Sequence, residues 1–447
     1  MNRRAFLFAS TASFTAALAA PARAAAYGAI DAADLGVRGD ASDDQSRALQ
    51  KAIDHAASQR MPLFLRPGRY LAGNLKLPSH ARLIGVPGAT RLTYLGAPGG
   101  LLRSDGGTRI ALEGLTLDGA GMPLSGNNAG LAQLANVEHL TIDDCEVIGS
   151  AASGLSLYAC SGHVERTIVK GAGEAGIFSL DATGLMLSRN TITDCANGGI
   201  LVYRSASGED GTLITHNRVE RIAAQAGGSG QNGNGINVFR ADGVIVTGNR
   251  MADCAFTAVR VNAGSNVQVS SNSCLRSGET AIFVEFGFQG AVVSGNLVDS
   301  AATGISISNF NEDGRLATCN GNVVRNLKTT IPYDDPSQGA GIGIAVEADT
   351  AVTGNVIENA PTFGMHLGWG PYLRNVVASN NVIHKVGTGI GVSVAEGTRS
   401  TVISNNIIED TQKGAIVGYR WRDVATGDLA VSPEDWPHLS VSGNKVG

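Results

Sequence analysis

The chain has 447 residues, 43% of them hydrophobic and 16% charged, with a formal net charge of −5. A chain of this size buries a large core without help from metals or disulfides, and its mild acidity argues against a nucleic-acid binder. Its 59 glycines lack a period of three, which excludes collagen and points to many turns.

At the N-terminus, Arg3-Arg4 is followed by Ala5-Phe6-Leu7, an apolar run to Ala20, and Ala22-Arg23-Ala24. This is the charged region, apolar region and A-x-A site of an export signal. The paired arginines resemble a twin-arginine signal; an ordinary secretory signal is the alternative. Cleavage after Ala24 removes three arginines and no acid, leaving −8. The expected location is the periplasm or the exterior. No later stretch approaches the ~18 apolar residues of a membrane span.

Residues 25–85 read as an N-terminal cap. Ser42-x-x-Gln45 has the form of a capping box. Ala48, Leu49, Ala52, Ile53, Ala56 and Ala57 then make one apolar helical face. Such a helix can cover the open end of a stack of strands.

Residues 86–447 carry a repeat, with a C-terminal cap from about 420. Asn190, Asn217, Asn249, Asn272, Asn296, Asn322, Asn355, Asn381 and Asn406 each close a short apolar strand, at a mean step of 27 residues. An inward-facing residue follows two places on. Further along, a third strand opens on Gly or Ala plus a bulky apolar residue, as in Gly199-Ile200, Gly235-Ile236 and Ala281-Ile282. Short strands at this period predict a solenoid whose coils bury one shared core. Asn suits the turn because it tolerates the left-handed conformation, and stacked Asn amides bond to one another. Cys274 and Cys319 fall at inward positions. Cys195 and Cys254 lie two coils apart, roughly 9–10 Å by strand spacing, too far for a disulfide. Most of the six cysteines are therefore expected to be small core residues.

The Gly-Asp…Asp-Asp-x-x-x-Ala-x-Gln-x-Ala-Ile pattern, followed by Pro67-Gly68-x-Tyr70, resembles the opening of the pectate-lyase-like right-handed parallel β-helix superfamily. With the Asn repeat, the resemblance covers nearly all of the mature chain. With the export signal, the whole is similar to twin-arginine-translocated β-helix repeat proteins. That family implies a fold and a compartment, and no substrate. The wider superfamily implies polysaccharides. Its polygalacturonase signatures are missing, apart from an isolated Asp143-Asp144. The epimerase-type motif has only a faint echo in Tyr333-Asp334-Asp335-Pro336.

In the third strand, the second and fourth positions after the Gly or Ala point outward. They read Asn237, Arg260, Phe283 and His366, and Tyr203, Phe239, Asn262, Glu285 and Glu347. Long insertions, 223–234 and 328–340, rise on one edge of this face. Loops at 204–211, 309–315 and 368–372 rise on the other. Walls around a polar and aromatic floor predict a ligand cleft. The candidate catalytic residues are Glu285, Glu347, Arg260 and His366. The two glutamates sit two coils apart, roughly 9–10 Å, near the upper end of the carboxylate spacing in inverting glycosidases. Arg260 could pair with a substrate carboxylate, and His366 could move a proton. Asn237, Phe239, Arg240, Asn262, Phe283, Asn309, Trp369 and Tyr203 are the candidate binding residues. An ion pair between Arg260 and Glu285 on the surface is the plain alternative, worth at most ~1 kcal/mol.

The reading is a polysaccharide lyase or glycoside hydrolase. The alternatives are a non-catalytic carbohydrate-binding or cell-envelope scaffold and an oligomeric surface fibre. No cofactor is indicated. Asp313, Asp334 and Asp335 could hold Ca²⁺, but without a recognisable ligand frame.

Overall fold

Inward aliphatic side chains set the architecture. The computed structural model describes residues 28–126, 129–228, 230–332, 339–432 and 436–447. The export segment and Tyr333 to Pro336 lie outside the described residues. The fold is all-β, a right-handed parallel β-helix with one short α-helix among the described residues. Strands that precede each Asn form a 16-stranded sheet running from Ile30–Asp31 to Leu439–Ser442. This ladder starts inside the segment assigned above to the cap. The second and third strands of each coil belong to a 28-stranded sheet. Late in the chain they fuse, as Val356–Leu367 and Val382–Ser393.

The third strands stack in the expected register. Ile236, Val259, Ile282 and Ile305 pair rung on rung and are 0% exposed. Their opening glycines are needed for close approach. A Cβ on Gly364 would lie 2.6 Å from the Gly389 carbonyl oxygen, so the backbone of the next coil occupies that space.

The Asn ladder forms, for a different reason than the turn argument gave. The left-handed residue is the one before each Asn, such as His216, Gly248, Ser271 or Gly295. The Asn itself is kept for its amide. Asn249 Oδ1 accepts from the Asn217 backbone N–H and side chain, both at 2.9 Å, and Asn249 Nδ2 donates to the Ile214 carbonyl at 2.8 Å. The pattern repeats down the stack and ends on Asn444. Buried backbone groups at this corner are thus satisfied coil by coil.

All six cysteines are free and buried. Burial pushes the thiols of Cys145, Cys195, Cys254 and Cys319 up to about 12.

Helix α1 spans Ser46–Ser58 and buries Leu49, Ala52, Ile53, Ala56 and Ala57 against the first coil. The expected capping box does not form. Gln45 is the N-cap and makes no side-chain cap bond. Its Oε1 accepts from the Arg38 N–H at 3.1 Å, and Asp44 Oδ1 takes the Ser46 N–H at 2.8 Å. At the other end, Ile416–Arg420 turns back into the antiparallel strand Asp423–Asp428. Among the described residues, no helix is long and apolar enough to cross a membrane.

Candidate functional site

The outward side chains of the third strands line up along one face. Asn237, Arg260, Phe283, Ser306, Ala345, His366 and Gly391 follow one another in register. Asn262 and Glu285 share the neighbouring row. The face expected from the repeat therefore exists, but it divides into a covered part and an open part.

The covered part holds Arg260, Glu285 and Asn237, at 7%, 3% and 3% exposure. Arg260 Nε donates to Glu285 Oε1 at 2.6 Å, and Asn262 Nδ2 donates to the same oxygen at 3.0 Å. The surface ion pair considered above is thus a buried one. Burial raises the Glu285 carboxyl above its ordinary range, and Arg260 opposes the shift. Asn237 Nδ2 donates to the Tyr203 hydroxyl at 3.0 Å. Phe239 packs edge-on to Tyr203 at 5.5 Å, with Arg240 over its outer face at 4.7 Å. These residues stand on the expected face but outside the cleft. The loop expected at 204–211 is mostly strand: Gly198–Glu209 runs on, with a register shift between Tyr203 and Gly208.

The open part is a cleft of about 710 Å³, within the usual range for a ligand site. Phe283, Ser306, Ala345 and His366 form its floor. Ile331 and Gly339 stand on one edge, and Asn309 and Trp369 on the other. Both walls come from the insertions that loop lengths pointed to. Of the candidate catalytic residues, Glu347 and His366 line it, while Glu285 and Arg260 do not.

Glu347 is half-buried, and the Phe310 N–H donates to its Oε2 at 2.7 Å. Phe310 opens a short 3-10 turn whose preceding residue, Asn309, is left-handed. Desolvation raises the Glu347 carboxyl above the ordinary range, and backbone N–H groups of Phe310 and Asn309 limit the rise. Burial pushes the His366 imidazole down to about 4, so it is neutral at pH 7. His366 stacks on Phe363 at 4.8 Å and faces Trp369 at 6.1 Å.

Sequence reasoning missed several cleft residues. Glu279 precedes its strand, outside the alternation used to choose outward positions. Trp421 and Arg422 belong to the segment from about 420 assigned to the C-terminal cap, and Lys413 and Tyr419 come from the last coil just before it. Trp421 meets Trp369 edge-on at 5.5 Å, and Arg422 lies over Trp369 at 5.9 Å. The run Gly418-Tyr419-Arg420-Trp421-Arg422 was the available signal, since aromatic and cationic residues crowd it. Among the described residues, no cluster of three or more His, Cys, Asp or Glu is arranged to hold a metal; Asp313 lies in an exposed turn.

A family model described as right handed beta helix region matches residues 129–223 and 205–313. The N-terminal fragment of bacteriophage phi29 gene product 12 superposes with a TM-score of 0.55 at 15% identity, over 94% of this chain and 70% of that one. The A-module of mannuronan C-5 epimerase AlgE6 from Azotobacter vinelandii gives 0.50 at 18% identity, over 93% and 99%. At these identities the likeness is one of fold. No curated protein sequence matches the chain.

Proposed function

We propose that this is an exported protein that binds a polysaccharide in the cleft and cleaves or modifies it, with Glu347 exchanging the proton. The supporting observation is a desolvated carboxyl, fixed by backbone donors, in a cleft that is aromatic at one end. A carboxyl raised by desolvation holds its proton to higher pH than an ordinary one and is the better placed to act as a general acid. Phe310 fixes which oxygen faces the cleft. Neutral His366 can hydrogen-bond a hydroxyl without adding charge. Trp369 and Trp421 offer faces for sugar rings, with their polar edges free to bond. A mannuronan epimerase module of similar fold makes a glycan a reasonable ligand class. Arg260 and Glu285 act here as support for the cleft, not as groups that touch substrate.

The test is a polysaccharide panel, scored for binding and then for new reducing ends or unsaturated uronates. Glu347→Gln keeps the acceptor for Phe310 and should bind as the wild type does, with turnover about 100-fold lower or worse. Binding without wild-type turnover would instead favour a carbohydrate-binding scaffold, and no binding to any glycan refutes both. Export is tested by Arg3→Lys with Arg4→Lys; a chain still processed and exported would refute the twin-arginine route.

A further inference from the structure

We infer that the cleft is blind at the end nearer the N-terminus, and so seats the terminus of a glycan chain and not its middle. This rests on the glycan reading above.

On a β-helix, outward side chains in continuous register would make an open groove along the whole stack. Here the register is continuous and the groove is not. The next two rungs beyond Phe283 carry Arg260 and Asn237, and both are buried. Asn237 is taken up by the Tyr203 hydroxyl, and what covers Arg260 is the insertion after Ile222. The Gly230 backbone lies so close to the guanidinium that a Cβ there would be 2.9 Å from both terminal nitrogens.

The segment is tied down at several points. Asn234 Nδ2 donates to the Gly230 carbonyl at 2.7 Å. The Ala226 N–H donates to Asn197 Oδ1 at 2.7 Å, and the Gly233 N–H to the Asn197 carbonyl at 2.6 Å. The guanidinium is held from the other side by Glu285 and by the Phe283 ring, 5.2 Å from its centroid. The wall is therefore built from strand, loop and ion pair together.

Glu279 stands at this wall. Arg260 Nη1 lies 3.8 Å from its carboxylate, and Thr257 donates to it at 3.0 Å. Glu279 also lines the cleft, so it faces whatever reaches the closed end. In the opposite direction the floor passes His366 and leaves over Trp369 and the hairpin tip, where Trp421 and Val424 are 49% and 63% exposed. From the Phe283 rung to the His366 rung there are three steps of about 4.8 Å, or ~14 Å of floor. A chain enters over the tryptophans and stops at Glu279.

The experiment uses alginate, pectate and an α-glucan, each cut to several mean chain lengths and titrated with wild-type protein at equal polymer mass. End seating makes bound protein per gram rise in inverse proportion to chain length. Bound protein per gram that is independent of length places chain interiors in the cleft and overturns the inference, while leaving the glycan reading intact. If none of the three polymers binds, the glycan reading itself fails and takes this inference with it. Trp421→Ala should weaken every length by up to about tenfold and keep the dependence on chain ends. Loss of that dependence in the variant would put the end-recognising groups at the tryptophans and overturn the assignment to the Glu279 wall.

Discussion

Removing one amide from the middle of the Asn ladder should cost far more than removing the last one. Asn296 Oδ1 accepts from the Asn272 backbone N–H at 3.0 Å and from Asn272 Nδ2 at 3.1 Å. Asn296 Nδ2 donates to the Val269 carbonyl at 2.9 Å and to Asn322 Oδ1 at 3.0 Å. Asn296→Ala deletes all four bonds. Asn272 Nδ2 keeps the Val246 carbonyl, and Asn322 Oδ1 keeps the Asn296 backbone N–H. The Asn272 N–H loses its partner in a place water does not reach, since Asn296 is 1% exposed, while the Val269 carbonyl keeps its place in the ladder with Gln289–Ser294. The orphaned N–H at about 1–3 kcal/mol and the lost Val269 bond at about 0.5–1.5 kcal/mol give about 1.5–4.5 kcal/mol. Asn444 is half-buried at the end of the ladder, where water can replace the lost amide, so Asn444→Ala should cost about 1 kcal/mol or less. Asn296→Asp keeps an acceptor, loses the donor to Val269 and faces Asn322 Oδ1 with a carboxylate; it should be no milder than Ala. Urea unfolding followed by circular dichroism ranks the variants. Equal costs for Asn296→Ala and Asn444→Ala, both under about 1 kcal/mol, would refute the argument.

Arg260→Met leaves the Glu285 carboxyl buried without its cation and should cost about 3–5 kcal/mol at pH 8. The cost should shrink at pH 5, because Glu285 is already raised and can protonate; Arg260→Met with Glu285→Met should recover most of it. Urea midpoints at the two pH values check this, and a pH-independent cost would count against it. The folded His366 titrates at about 4, below its unfolded value of about 6.5. The unfolded chain then binds more protons in that window, so His366 makes stability fall as pH drops from about 6.5 to 4. An NMR titration showing its imidazole protonating near pH 6.5 would contradict the burial argument. The six thiols should resist a thiol reagent in the native protein and all react in urea, whereas fast native labelling would mean that one of them reaches solvent.

The fold was legible because solenoid physics is local. Ile236, Ile282 and their equivalents mark the inward face by alternation, and each coil repeats the last. The same logic found the walls, since a longer gap between fixed rungs has nowhere to go but outward. It could not find which rungs a wall covers. Alternation marks Arg260 and His366 alike as outward, yet Gly230 settles onto one and leaves the other open. It also missed Trp421, because the C-terminal hairpin breaks the period on which the reading depended. The Asn were found by their repetition, and the amide-to-amide ladder expected of them forms. The left-handed turn, by contrast, falls on the residue before each, such as Arg189 or His216.

The antiparallel strand Asp423–Asp428 has a consequence for assembly. Each coil ends in a row of backbone donors and acceptors that would fit the start of another copy, so a bare stack invites head-to-tail growth. Reversing the chain direction on the last rung changes the spacing of that row. The Asp428 carboxylate also occupies the Ala415 and Ile416 N–H groups. A chain cut just before Asp423 would present an unprotected rung at one pole, while helix α1 still covers the other, and should pair through that rung, so the hairpin that carries Trp421 also guards its pole against association.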